Sequence, residues 1–235
     1  MNQLEILKQL EHFYDAIHPA YENNADVYVW FSTVPHPFLN VVIRLSSSDV
    51  IRDVDRLIAC NSPYKPMSFW VHPHNRAEGL VDILKERNFI SMDIWPVMTW
   101  NVKPARSSEA DIRRSKGDDF YDVLSSVYQL DEEVKRGYPK LMAYSKAEYY
   151  TSYIDGMPVS TASLLIHGQI GEIFNDATLP GRREASFEMM RFLMCRSSEL
   201  GLKRLITLSS PEAEELHTTL GFEKAFDIEV YAKLA

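Results

Sequence analysis

The sequence predicts an α/β fold in which short strands and amphipathic helices alternate along two successive stretches. Runs with helical spacing are interleaved with β-branched and aromatic runs from Leu4 to Val230. A polar segment without hydrophobic period, residues 103–108, divides them. Residues 171–222 are sharply punctuated, with a strand, the turn Leu179-Pro180-Gly181, a helix closing at Gly201, the apolar run 202–208, Ser209-Ser210-Pro211, and a helix closing at Gly221.

In the first stretch Leu4, Leu7, Leu10, Tyr14 and Ile17 mark an amphipathic helix that stops before Pro19. Strands are expected at 27–31 and 40–45, separated by a turn at Pro35-His36-Pro37. Asp49 and the serines before it offer caps to a helix with Val50, Ile51, Val54, Leu57 and Ile58 on one face, ended by Asn61-Ser62-Pro63. A strand at 67–71 leads through His72-Pro73-His74 to a helix burying Leu80, Ile83 and Leu84, and residues 90–102 return as a strand bulged or interrupted at Pro96.

The second stretch begins with a helix over 118–130, its apolar positions Phe120, Tyr121, Leu124, Val127 and Tyr128, and a shorter helix over 139–149. Strands at 149–154 and 159–166 are joined through Asp155-Gly156, a hairpin signal whose loop can exceed two residues, and 171–179 is the next strand. A helix stripe of Met189, Met190, Leu193, Met194 and Leu200 follows, with Gly201 at its left-handed end. Ser210 caps the last helix, Pro211 opens it, and Ala213, Leu216 and Leu220 face inward. Phe226, Ile228 and Val230 alternate in a final strand.

Residues 171–222 resemble the acyl-CoA-binding half of a GCN5-related N-acetyltransferase (GNAT). A weaker echo, Phe69…Pro73…Ile83…Asn88-Phe89 against Ile206…Pro211…Leu216…Gly221-Phe222, makes residues 70–89 look like the degenerate first half of a tandem member of that family. The resemblance implies two GNAT-like halves of mixed, mainly antiparallel twisted sheet flanked by helices: a degenerate N-terminal domain at 1–103 and an acyl-CoA-binding domain at 104–235.

It also implies acetyl-CoA as co-substrate, held by Ala177, Thr178, Leu179 and the turn from Arg182 and Arg183 through Glu184, Ala185, Ser186, Phe187 and Glu188. The family's turn reads Arg/Gln-x-x-Gly-x-Gly/Ala, and here Ser186 and Glu188 stand at its two glycines. A helix N-terminus attracts pyrophosphate, and Arg182 and Arg183 add charge. Glu184 and Glu188 oppose it: at an effective dielectric near 20, a carboxylate about 5 Å from a phosphate charge costs about 3 kcal/mol. The same glutamates also suit the positive end of any helix.

The resemblance places His217 where many family members carry a tyrosine that hydrogen-bonds the sulfur of coenzyme A. Imidazole can donate that proton; the alternative is an exposed helix histidine with no role. For a base, strand alternation sets Glu172, Phe174, Asp176 and Thr178 on one face, nominating Glu172 and Asp176, while the family's common glutamate position falls on Phe174. The sequence has no nucleophile elbow, zinc-protease helix, P-loop or dinucleotide fingerprint. His72 and His74, and His36 between its prolines, lack a second ligand pair, so no metal is expected. Tyr144, Tyr149, Tyr150 and Tyr153 line an acceptor cleft or serve packing.

The 235 residues, 46% hydrophobic and 25% charged, are those of an ordinary globular protein. A formal charge of −8 without a basic cluster argues against nucleic acid as partner. Cys60 and Cys195 fall in apolar helical patterns and read as buried free thiols of a reducing compartment. With neither a signal-peptide pattern nor a membrane span, a cytoplasmic protein without membrane association is expected, monomeric or homodimeric. The expected function is acetyl transfer from acetyl-CoA to the amine of a small-molecule or amino-acid-like acceptor. The alternative is a catalytically degenerate module of the same fold that binds or regulates.

Overall fold

The structure, a computed structural model, describes residues 2–61, 65–75, 77–115, 117–143 and 145–234. The chain forms two compact units. The first comprises Met1–Pro96, Arg136–Tyr144 and Phe226–Ala235, and the second Val97–Lys135 and Ser145–Ala225. The architecture is α/β, with mainly antiparallel sheet and flanking helices in each unit.

In the first unit α1 (Gln3–Asp15) starts in a reciprocal cap between Asn2 and Glu5. Strands β1 (Glu22–Asn23), β2 (Val27–Phe31), β3 (Asn40–Leu45) and β4 (Met67–Val71) lie side by side. The last strand of the chain, β11 (Glu223–Lys233), returns antiparallel to β4 through Glu229–Lys233. Among the described residues of this unit only β3 and β4 run parallel, paired at Val41–Ser68 and Val42–Phe69. The helices α2 (Val50–Cys60) and α3 (Leu80–Glu86) cover a core of Val27, Val42, Val54, Leu57, Phe69, Leu84 and Phe89.

The second unit takes the later residues of β5 (Ile90–Asn101), which runs through Pro96 without a break. They pair antiparallel with β10 (Arg204–Leu208), which in turn runs parallel to β9 (Ile170–Thr178). β8 (Met157–His167), β7 (Glu148–Ile154) and β6 (Asp111–Arg114) continue antiparallel. Ile154 pairs with Met157, so the β7–β8 loop is just Asp155-Gly156, both at positive φ as a twisted two-residue hairpin requires. α4 (Asp118–Tyr128) packs on β8 and β9. Met189, Met190, Leu193 and Met194 of α6 (Arg183–Glu199) and Leu216 of α7 (Pro211–Thr219) pack with Ala162, Leu164, Ile173 and Leu205.

Several expectations are corrected. The helix placed at 139–149 is α5 (Glu132–Met142): Asp131 Oδ1 accepts the amides of Glu133 and Val134, so the helix starts earlier, and Pro139 falls inside it. Strand β6 replaces what reads as connecting chain after residue 108. Cys60 ends α2 on its exposed side and Cys195 is only partly covered, so neither is a buried thiol. Ile51, Tyr128 and Leu200 also lie outside the core. Ser62, Pro63, Arg76 and Tyr144 lie outside the described residues.

Candidate functional site

The site grows from a fault in the sheet of the second unit. β10 and β9 pair from Arg204–Ile170 to Thr207–Ile173, where their ladder ends, while β9 continues to Thr178 against β8. Ser163 pairs with Phe174 and Thr161 with Ala177, so two β9 residues, Asn175 and Asp176, oppose the single Ala162. Asn175 takes φ 54°, tolerable for asparagine and costly for most residues. Such a bulge bends its strand, and β9 and β10 therefore form a fork that opens just beyond Ile173 and Thr207.

The bulge corrects the expected alternation. Phe174 and Ala177 share a face with Ser163 and Thr161, whereas Thr178 points with Ser160, their hydroxyls 2.8 Å apart. Glu172 is buried on the strand before the bulge, and burial holds its carboxyl well above the usual carboxylate range. Asp176 lies in the bulge itself. Its Oδ1 has no hydrogen-bond partner among the described residues, and burial pushes its carboxyl up to about 7. Tyr128, read from sequence as an apolar helix position, donates its hydroxyl to the Asp176 carbonyl at 2.9 Å.

Beyond β9, Leu179-Pro180-Gly181-Arg182 closes a type II turn. The Arg182 amide bonds to the Leu179 carbonyl at 3.1 Å, with proline second and Gly181 at φ 77° third. The Leu179 amide is given to the Val159 carbonyl at 2.9 Å. Arg182 is the N-cap of α6, and no side chain caps that end. Ala185 is buried, Ser186 and Phe187 are half-buried, and Arg182, Arg183 and Glu184 are exposed. Arg183 meets Glu215 at 2.9 Å and lies 5.8 Å over the Phe187 ring.

The two glutamates of this turn have different fates. Glu188 accepts the Ser108 hydroxyl at 2.8 Å and Arg191 at 2.7 Å. Burial tends to raise its carboxyl, but the Ser108 and Arg191 hydrogen bonds and the Arg191 charge outweigh that and hold it below the usual range. Its charge is thereby directed away from the helix end and neutralised. Glu184 makes no ion pair among the described residues.

His217 is buried, not an exposed helix residue. Its Nδ1 lies 2.9 Å from the hydroxyl of Ser209, the residue that follows β10 at the open end of the fork. We assign the ring proton to Nδ1 from the hydrogen-bond network: Ser209 Oγ gives its hydrogen to the Ser210 carbonyl at 2.9 Å and so accepts from Nδ1. Nε2 is then a bare acceptor, buried and without a partner among the described residues. Burial holds the imidazole neutral, its pKa down to about 4 against a weak pull from the Ala213 carbonyl.

Sequence reasoning thus names Asp176, which lies on β9 beyond the last pair with β10, and His217, which bonds Ser209 at the end of β10, but does not single out Tyr128 or Ser209, the residues that bond them. Ser209 was signalled by its place before the Ser-Pro cap; Tyr128 had no signal beyond its helical spacing. The other tyrosines have structural duties: Tyr149 packs on Phe120, Tyr150 donates to Glu148 at 2.6 Å, and Tyr153 donates to Asp119 at 2.8 Å. Among the described residues no three His, Cys, Asp or Glu side chains gather as metal ligands, and no helix is long and apolar enough to cross a membrane.

No protein-family model matches the chain, and no curated protein matches it. Solved structures do. A GCN5-related N-acetyltransferase from Kribbella flavida matches with TM-score 0.68 over 98% of this chain and 96% of its own, at 11% identity. A conserved protein of unknown function from Staphylococcus epidermidis matches with TM-score 0.71 over 91% and 93%, at 12% identity. A tandem GNAT protein from the clavulanic acid biosynthesis pathway matches with TM-score 0.53 over 88% and 78%, at 8% identity. The chain has the GCN5-related N-acetyltransferase fold.

Proposed function

We propose that this protein transfers an acetyl group from acetyl-CoA to the amine of a small-molecule or amino-acid-like acceptor. The observation that carries the reading is the β9–β10 fork: Asp176, its carboxyl raised to about 7, lies on β9 beyond the last pair with β10, and His217, its Nε2 buried and without a partner among the described residues, is tied to Ser209 at the end of β10. The residues fit the co-substrate. The uncapped start of α6 with Arg182 and Arg183 suits the phosphates, and Glu188, which sequence sets against them, is tied to Ser108 and Arg191. Glu184 is the remaining opposition.

Acetyl-CoA supplies an activated acyl group. Asp176 supplies the base: an amine acceptor is protonated near neutral pH, and a carboxylate with pKa near 7 takes a proton from it, directly or through one water. Groups in that role contribute about 10²–10⁴-fold to rate. The Tyr128 hydroxyl fixes the backbone of the bulge through the Asp176 carbonyl. His217, tied to Ser209 at the end of β10, adds a buried acceptor nitrogen. In this reading His217 stays neutral with its proton on Nδ1 and is not the acid that the family resemblance implies.

That tautomer, with serine and glutamate at both glycine positions, also favours the second reading, a module of this fold that binds without turnover. Release of free thiol from acetyl-CoA, followed across a panel of amines for the wild type and Asp176→Asn, separates the two. Turnover that depends on Asp176 supports the transferase, and none with any amine supports the binding module.

A further inference from the structure

The first unit contains a second fork, and it is filled. β3 and β4 run parallel and pair only at Val41–Ser68 and Val42–Phe69, after which β3 continues through Ile43, Arg44 and Leu45. A third parallel strand residue opposite Arg44 would donate to the carbonyl of Ile43 and accept from the amide of Leu45. The Asn75 carboxamide makes that pair of bonds. Its Oδ1 accepts the Leu45 amide, and its Nδ2 donates to the Ile43 carbonyl at 3.2 Å and to the Trp70 carbonyl at 2.6 Å. His72 adds Nε2 to the Ile43 carbonyl at 2.8 Å, while its Nδ1 accepts the His74 amide. Asn75 and His72 are both about 1% exposed.

The second unit differs at the matching place. Asn75 lies two residues after Pro73, and Ala213, two after Pro211, carries only a methyl group. The serines of that turn are engaged locally, Ser209 with His217 and Ser210 with the Ala213 amide.

We propose that the β3–β4 fork is an amide-binding site which the chain keeps occupied with its own Asn75 carboxamide. Its ligand class is a primary or secondary amide able to donate to Ile43 and accept from Leu45, and Asn75 excludes such a ligand by standing in for it. The site does not depend on acetyl-CoA binding elsewhere in the protein.

Hydrogen exchange of the Leu45 amide in the full chain, wild type and Asn75→Gly, tests this. In the wild type the Leu45 amide is protected although it lies beyond the last β3–β4 pair. In the variant its exchange rises about tenfold or more, and added acetamide slows it again. Dimethylacetamide, which accepts but cannot donate, does not. Fast exchange of Leu45 in the wild type overturns the proposal, as does equal behaviour of the two amides toward the variant. Asn75→Ala is read in the same way if the glycine variant does not fold.

Discussion

Ser209 decides which nitrogen of His217 carries the proton. Because its own hydroxyl hydrogen goes to the Ser210 carbonyl, its oxygen takes the Nδ1 hydrogen and leaves Nε2 bare. A histidine that aligns with a proton donor is thereby made into an acceptor. His217→Phe then lowers kcat by less than about tenfold, since no proton donor is lost, whereas His217→Tyr restores a donor and raises kcat by about tenfold. Steady-state thiol release from the three proteins checks this, and a large loss in the phenylalanine variant contradicts it.

The same burial makes His217 sensitive to acid. Its pKa falls from 6.5 to about 4 on folding, and that of His72 does likewise. A depressed folded pKa stabilises above the unfolded value, so each contribution is complete above 6.5 and is lost as pH falls through about 4. It amounts to at most about 3 kcal/mol per residue. Urea unfolding between pH 7 and pH 4 is expected to show this loss, reduced in His217→Gln.

Asp176 has the opposite sign. Folding raises its pKa from 3.8 to about 7, so the protonated form stabilises the fold below about pH 4, and that contribution is lost as pH rises through about 7. Asp176→Asn is therefore more stable than wild type at pH 8 and nearly equal to it at pH 4. Its kcat/KM is expected to fall about 10²–10⁴-fold, without the rise around pH 7 that a carboxylate base gives the wild type. Melting curves and pH–rate profiles of both proteins read the two effects separately.

Glu184 and Glu188 are predicted to part company. Glu184→Gln removes an unneutralised charge beside the start of α6 and tightens acetyl-CoA binding several-fold, by about 1 kcal/mol after solvent screening. Glu188→Gln breaks the Arg191 ion pair and weakens the hold on Ser108, so it costs stability and leaves affinity almost unchanged. Titration calorimetry with thermal melts distinguishes this from equal gains in both variants.

Gly171 is needed for space. A Cβ there would lie 2.7 Å from Leu205 Cδ2, 2.9 Å from Leu164 Cδ1 and 3.0 Å from Leu202 Cδ1. Gly171→Ala is expected to destabilise the protein by about 1–3 kcal/mol, lowering its urea midpoint.

Much of the fold was legible because local chemistry and tertiary structure agree. Asp155-Gly156 wants positive φ and receives it, and Ser210-Pro211 caps and opens α7 as written. Legibility failed where one residue changes the period. The bulge at Asn175 and Asp176 moves Thr178 to the other face, and nothing in the alternation of residues 171–179 announces it. The helix expected over 139–149 starts earlier because the Asp131 side chain caps it, and Pro139 falls inside it. The site was legible by type and not by state. Asp176 and His217 could be named from position, but the burial that sets the charge of each, and the Ser209 bond that sets the histidine tautomer, belong to the folded chain.

The most direct test of the account is calorimetric titration of acetyl-CoA into the purified protein, paired with its melting temperature. Saturation at one molecule per chain is predicted, with a rise in Tm of several degrees at a hundredfold excess over Kd, where binding stabilises the fold by about 2.7 kcal/mol. No heat and no change in Tm at millimolar acetyl-CoA would contradict it.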